Sequence, residues 1–443
     1  MSSAQANPTR VTRGPYIQKS CSNCKRRKLG CDGLRPVCTR CSRHPPRDGA
    51  PCLYATELST GGRLTRHAKI DVKLTQDILN DFLLKFSATQ FCFIDTHTLK
   101  NSFRPLGYIV YLWAHLNSHT RPPESPYRIT QILAQIAEHT ARQLDSTRSH
   151  AAPEMLSLIQ TEVLLSLYFL ETGRQTEGHL HCAAATSLVL TGRLHLLGGS
   201  QESVDPVGVS RTAPIVRSGA RTFELHNAFW SVVVLNCYWV CAAGVPSLIP
   251  HGAPISTPWP TAASVAGMQS LPADDDVTGQ SALTLLVKAS ILFERSMALS
   301  RKPLTSDDLF ILSQRMVTFR RYLPDIETAS PTVQMSLLTH LMIDCAILQL
   351  LNSYALTAAD AQHMCAQSVS TVRANLEIVT AHAGSWEYVD PIFGTLLQGF
   401  IRFLDSATFL LVQNSAREAA RRAMQVLGQK SLCVQRHLAT VEL

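Results

Sequence analysis

The sequence predicts a mainly α-helical protein, with a small cysteine-rich head followed by a large all-α body. Three observations predict it. Six of the thirteen cysteines fall before residue 53, while the other seven are scattered. From about Leu74 onward, apolar residues recur at steps of three and four. Alternation of the kind that marks strands joined by hairpin turns is absent from the same stretch.

The elements follow in chain order. Residues 1–20 carry no periodic pattern and read as disordered. Residues 21–52 hold the cysteine cluster. Residues 53–73, LYATELSTGGRLTRHAKIDVK, read as a polar linker broken by Gly61-Gly62. The body then occupies 74–443. In ITQILAQIAEHTARQLD, Ile129, Ile132, Leu133, Ile136, Ala137, Ala141 and Leu144 form one helical face, with Gln131, Gln135, Glu138, Arg142 and Asp145 opposite. Further helical runs are expected at 75–90, 155–172, 176–195, 223–243, 280–300, 306–322, 332–357, 361–382, 390–413 and 415–438. Pro153 stands near the start of one of them. Two stretches, 198–221 and 245–279, are rich in Gly, Ser and Pro and read as long loops.

Charge is divided unequally. Residues 1–72 hold 14 Lys or Arg against 4 Asp or Glu, a net of +10. The remainder holds 27 against 29, a net of −2. A local basic excess points to a polyanionic partner, either nucleic acid or an anionic membrane surface. The N-terminus lacks the apolar core of a secretory signal, so disulfides are not expected. The apolar run FWSVVVLNCYWVCAAGV lacks close Lys or Arg flanks and reads as a core helix rather than a membrane span.

The head's spacing is Cys21-x2-Cys24-x6-Cys31-x6-Cys38-x2-Cys41-x10-Cys52. Each Cys-x2-Cys pair offers two soft thiolates from one tight turn, the ligands a tetrahedral zinc prefers. Two zinc ions need eight ligand positions, and six sulfurs fill them if two of the sulfurs each bridge both metals. Six thiolates and two Zn²⁺ sum to −2, which leaves the head basic, and a site closed by protein ligands is structural rather than catalytic. A single zinc held by Cys21, Cys24, Cys38 and Cys41 is the other metal reading. His179, His181 and Cys182 stand close in sequence, although helical spacing turns the two imidazoles apart. The acidic run ADDDV at 273–277 reads as solvated charge. Gly-rich phosphate loops, nucleophile elbows and catalytic Cys/His spacings are not found, so an enzyme is not expected.

CSNCKRRKLGCD, with Pro36 in the following loop, resembles the fungal zinc binuclear cluster (Zn₂Cys₆) family of transcription regulators. That family's pattern is close to Cys-x2-Cys-Arg-x-Arg-Lys-x-Lys-Cys-Asp. Here Lys25 stands for an Arg, Gly30 for a Lys, and the last gap is long and holds Pro45-Pro46. The resemblance implies two Zn²⁺ per chain on Cys21, Cys24, Cys31, Cys38, Cys41 and Cys52, with Cys21 and Cys38 bridging. It implies a short helix after the second cysteine that enters the major groove of double-stranded DNA and reads a CGG-like triplet. Lys28 is the first candidate for base contact and Arg27 the second. Lys25, Arg26, Arg35, Arg40 and Arg43 are candidates for phosphate contact.

Three stretches of the body, 83–103, 177–196 and 224–250, are similar to the fungal transcription factor middle homology region, an all-α regulatory domain. The expected function is therefore a nuclear, sequence-specific regulator of RNA polymerase II transcription. A homodimer through the helical domain and a small-molecule effector are open partners, and no membrane is expected. A zinc-dependent protein-interaction module is the runner-up. Only about twenty residues separate Cys52 from the body, too few for a coiled coil of three or four heptads.

Overall fold

The computed structural model describes residues 21–32, 38–44, 72, 74–87, 89–91, 93, 104–116, 124–146, 152–198, 219–250, 252–260, 280–300, 306–352, 359–406 and 413–441. The N-terminal segment 1–20, Arg35, Cys52, most of the 53–73 linker and the 273–277 acidic run lie outside them. The chain divides into two compact units, Met1–Asp71 and Val72–Leu443.

The first unit carries α1 (Ser22–Arg26) and α2 (Thr39–Arg43), which pack on each other. The second carries α3 (Gln76–Phe86), α4 (Arg104–His115), α5 (Pro126–Ser146), α6 (Ala152–Thr172), α7 (Gln175–Thr191), α8 (Gly219–Ala243), α9 (Ala282–Leu299) and α10 (Ser306–Arg321). It continues with α11 (Val333–Asn352), α12 (Ala359–His382), α13 (Ile392–Ser406), α14 (Gln413–Gly428) and α15 (Leu432–Val441). Among the described residues there is no strand, so the all-α expectation holds.

Three boundaries differ from the sequence reading. Helix α4 was not expected; RPLGYIVYLWAH is a short helix buried along nearly its whole length. The run expected at 415–438 is two helices, α14 and α15. They part where Ser431 accepts the Val434 N–H and caps the second. The run expected at 390–413 is described as a helix over Ile392–Ser406, and Gln413 already belongs to α14.

The body's core is built around α8, whose Phe229, Trp230, Val232, Val234, Leu235, Tyr238 and Trp239 are buried. It packs on α6, α7, α9 and α13. Trp239 Nε1 donates to Ser166 Oγ at 2.7 Å, and Ser166 donates to the Gly178 carbonyl at 2.8 Å, so α6, α7 and α8 meet on one polar chain. A Cβ at Gly178 would come within 2.4 Å of the Trp239 ring, so only glycine admits this approach. Phe223–Ala243 and Val333–Asn352 are apolar and long enough to cross a bilayer, but 78% of each apolar window is buried within the body. They are core helices here, in line with the sequence reading of 229–245.

The core also buries carboxylates. Asp344 pairs with Arg320 Nη1 at 3.0 Å, and Arg320 reaches on to Ser368 and Gln367, joining α10, α11 and α12. Glu171 accepts Ser431 Oγ at 2.8 Å and the Leu432 N–H at 2.6 Å, and so anchors the N-terminus of α15 on the end of α6. Asp390 accepts from Gln90, from Tyr238 and from the Ile392 N–H.

Candidate metal centre and nucleic-acid interface

The described part of the head has almost no hydrocarbon inside it. Among its described residues the buried side chains are Cys21, Cys24, Cys31, Cys38, Cys41 and Asn23, while Leu29 is exposed. The sequence repeats one local device to bring the sulfurs together. Cys21 is the N-cap of α1 and its Sγ accepts the Cys24 N–H at 3.4 Å. Cys38 is the N-cap of α2 and accepts the Cys41 N–H at the same distance. An N-cap and the residue three positions later face the same side of the first turn, which is why x2 spacing pairs the two thiols. The Cys21 N–H also points to Cys31 Sγ at 3.5 Å. Asp32 ties the halves together, its carboxylate accepting the Thr39 N–H of α2 at 3.1 Å.

The sulfur spacing has a definite chemical meaning. Cys21 Sγ lies 3.8 Å from both Cys38 and Cys41, and Cys24 Sγ lies 3.6 Å from Cys38 and 3.8 Å from Cys41. The sulfurs of Cys21, Cys24, Cys31 and Cys38 all lie within 4.8 Å of one another. These separations are far beyond the ~2.05 Å of a disulfide bond. Four sulfurs at ~2.3 Å from one tetrahedral zinc stand about 3.8 Å apart, so the donors fit the metal. Cys31, which the single-zinc reading leaves out, lies inside this group.

So tight a group resists carrying its charge alone. Burial and then the neighbouring sulfurs push the Cys24 thiol well above its ordinary value. Cys38 lies below its own, because the Cys41 N–H and adjoining thiols outweigh the effect of burial. A bound dication is the natural counter-charge for several thiolates at this spacing.

The basic residues surround this centre. Lys25, Arg26, Lys28, Arg40 and Arg43 are exposed, and Arg27 is half-buried. Arg27 Nη1 donates to the His44 carbonyl at 3.0 Å, so this side chain also fastens the end of α1 to the end of α2. Lys28 is unusual in its backbone. Its φ is +53°, in the left-handed region that an L side chain enters at a cost of about 1 kcal/mol. The conformation closes α1 as a Schellman cap: Leu29 N–H donates to the Cys24 carbonyl at 2.9 Å and Lys28 N–H to the Lys25 carbonyl at 3.1 Å.

The family model of the fungal Zn(2)-Cys(6) binuclear cluster domain matches residues 19–60. The head is a zinc binuclear cluster domain. Such a domain binds two zinc ions and indicates a fungal DNA-binding transcription factor family, not an enzyme family. Among curated proteins and solved structures, neither comparison gives a significant match.

The second cluster named from the sequence is not a metal site. His181 Nδ1 lies 2.7 Å from Glu162 and its ring stacks on Phe169 at 5.3 Å. His179 tilts against Trp239. Cys182 is fully buried and burial pushes its thiol up to about 12. Among the described residues the one metal-ligating group is the set of head cysteines. Sequence reasoning did not single out the left-handed Lys28 or the anchoring role of Arg27, since neither leaves a mark in composition or spacing.

Proposed function

We propose that this chain is a nuclear, sequence-specific regulator of RNA polymerase II transcription whose head reads CGG-like triplets in double-stranded DNA. Cys21, Cys24, Cys31, Cys38, Cys41 and Cys52 hold the two zinc ions, with Cys21 and Cys38 bridging. Both bridging sulfurs are helix N-caps, so the backbone N–H groups that bond to them partly offset their charge. Lys28 contacts the bases, with Arg27 beside it. Lys25, Arg26, Arg35, Arg40 and Arg43 take phosphates.

The observation that carries the reading is Lys28. A long cationic side chain occupies a left-handed cap where glycine would cost nothing. Strained residues of this kind are kept where the side chain has work to do. The cap ends α1 and sends Lys28 outward from it, as a donor pair to guanine O6 and N7 requires.

Competitive binding by the full zinc-loaded chain to duplexes with and without a CGG triplet tests this. Affinity should fall steeply with salt. Lys28→Ala should erase discrimination worth about 1–3 kcal/mol while leaving non-specific binding in place. Equal affinity of the wild type for both duplexes removes the reading and favours a zinc-dependent interaction module instead.

The body is read as the middle homology region, which regulates the head, responds to a small-molecule effector and forms a homodimer. For the dimer, α10 offers a surface. Phe310 and Ile311 are 63% and 57% exposed on its outward face, with Tyr322 just beyond its end. The helix runs from the exposed Asp308 in its first turn to the exposed Arg321 in its last. Two copies packed antiparallel would cover the apolar residues and set acid against base, as a twofold interface requires.

A further inference from the structure

The cavities of the body differ in the chemistry of their walls. The one of about 400 Å³ between α3, α11 and residues 385–390 has Gln90, Gln334 and Asp390 on its wall. Gln90 bonds to Asp390, and Gln334 bonds to the Tyr388 carbonyl, so these groups are already spent. The cavity of about 150 Å³ carries Cys241 and Cys345. Burial pushes both thiols up, Cys241 to about 12, so neither is a nucleophile at neutral pH.

A third cavity, of about 350 Å³, lies between α8, α9 and the proline-rich strap 247–256. Its walls are apolar: Trp230 and Val233 from α8, Ile291 from α9, Ile249 and Ile255 from the strap. The walls are fixed in place. Trp230 stacks on Trp259 with centroids 4.4 Å apart and donates to the Pro258 carbonyl at 2.7 Å. Asn236 pins the strap by donating to Ser247 at 2.8 Å and accepting the Leu248 N–H at 2.9 Å.

Two polar groups in this cavity lack partners. The buried Ser256 hydroxyl makes no hydrogen bond. Arg295, half-buried, makes no hydrogen bond or ion pair among the described residues. Burial first, and the neighbouring Arg315 second, disfavour its charged form, with Glu294 partly opposing them. The Glu294 carboxylate on the same wall has interactions of its own. The guanidinium is only half withdrawn from water, and no hydrogen bond or ion pair among the described residues takes up its donors, so they are open to an anion that enters the cavity.

We propose that this cavity binds a small organic acid, its apolar body against Trp230, Ile249, Ile255 and Ile291 and its carboxylate paired with Arg295. The guanidinium fork suits a carboxylate in two parallel hydrogen bonds. The proposal gives the effector its chemical class and its place. It rests on the regulatory reading of the body for its consequence to transcription, and not for binding itself.

Isothermal titration calorimetry of the full zinc-loaded chain tests it with phenylacetate and 4-methylpentanoate against phenylacetamide and 4-methylpentanamide. The acids should bind, and the amides about tenfold more weakly or less. Arg295→Gln should abolish the preference, whereas Arg422→Gln, at an exposed arginine beside Glu418, should keep it. Arg295 has no hydrogen-bond partner to lose, so Arg295→Gln should not lower the thermal midpoint of the ligand-free protein. Loss of binding would then not be loss of fold. Equal affinity for acids and amides, no binding of any probe up to about 1 mM, or an unchanged preference in Arg295→Gln overturns the proposal. Calorimetry involves no DNA, so failure here and failure of duplex binding are separate results.

Discussion

Among the described residues of the head the buried side chains are cysteines and one asparagine, with neighbouring sulfurs 3.6–3.8 Å apart. In the body, indole, phenyl and branched aliphatic side chains fill the space between α3 and α15. So few buried groups, none of them a large hydrocarbon, cannot hold the described part of the head by hydrophobic burial. Metal–thiolate bonds must supply what hydrocarbon supplies in the body. The same side chain therefore plays opposite parts in the two units. Head cysteines are ligands in waiting, whereas Cys182, Cys237 and Cys433 are small buried groups whose thiols burial holds protonated.

The strongest way to sharpen this contrast is to remove one sulfur from each unit. Cys21→Ser should abolish duplex binding and collapse the head's dispersed amide signals in NMR spectra, because that sulfur neighbours four of the other cysteines. Cys182→Ser should leave duplex binding unchanged and cost the body only about 1–3 kcal/mol in denaturant unfolding. Similar losses in both variants would erase the distinction.

The units should also differ in their response to acid. Zinc holds thiolates, so protons compete with it and the head weakens as pH falls. The body contains carboxylates whose protonation helps it. Burial raises Asp390 from 3.8 to about 6, against the hydrogen bonds that lower it. A carboxylate raised in the folded state gives stability that is complete below its unfolded value and is lost as pH rises through its folded value. Asp390→Asn removes that dependence. The variant's stability relative to wild type should rise by about 1–3 kcal/mol between pH 4 and pH 7. Any constant offset from losing an acceptor for the Ile392 N–H cancels in that difference. Denaturant unfolding at several pH values reads it, and a flat difference would show that Asp390 ionises freely. The depressed histidines His226, His340 and His437 are common to both proteins and cancel as well.

A smaller effect concerns the body's surface. Phe310→Asp on α10 should convert a dimer to a monomer in sedimentation at micromolar concentration with little change in thermal midpoint, since that side chain is 63% exposed. A dimer that survives the substitution would move the interface elsewhere.

The two units were also unequally legible in the sequence. The head announces itself, because x2 spacing puts two sulfurs on one side of a helical turn and thiol chemistry admits few other uses for six of them. Its finer geometry does not: the left-handed Lys28 depends on which residue ends α1. In the body, α5 shows its period plainly over 21 residues, whereas α4 has only 12 and is buried along nearly its whole length. The break between α14 and α15 was hidden because it spans only Gln429–Ser431, too short to separate the apolar spacing on either side into two runs. The Glu171 contact that fixes α15 joins residues about 260 apart in the chain. No local pattern encodes such a pair.

The most direct measurement is a chelator titration of the zinc-loaded chain in which released zinc and affinity for a CGG duplex are followed together. Affinity should vanish as two equivalents of metal leave and return when zinc is restored, with the thermal transition of the body unmoved throughout. A metal-free chain that still binds the duplex at full strength would contradict the claim that sulfur and zinc stand in for the head's missing core.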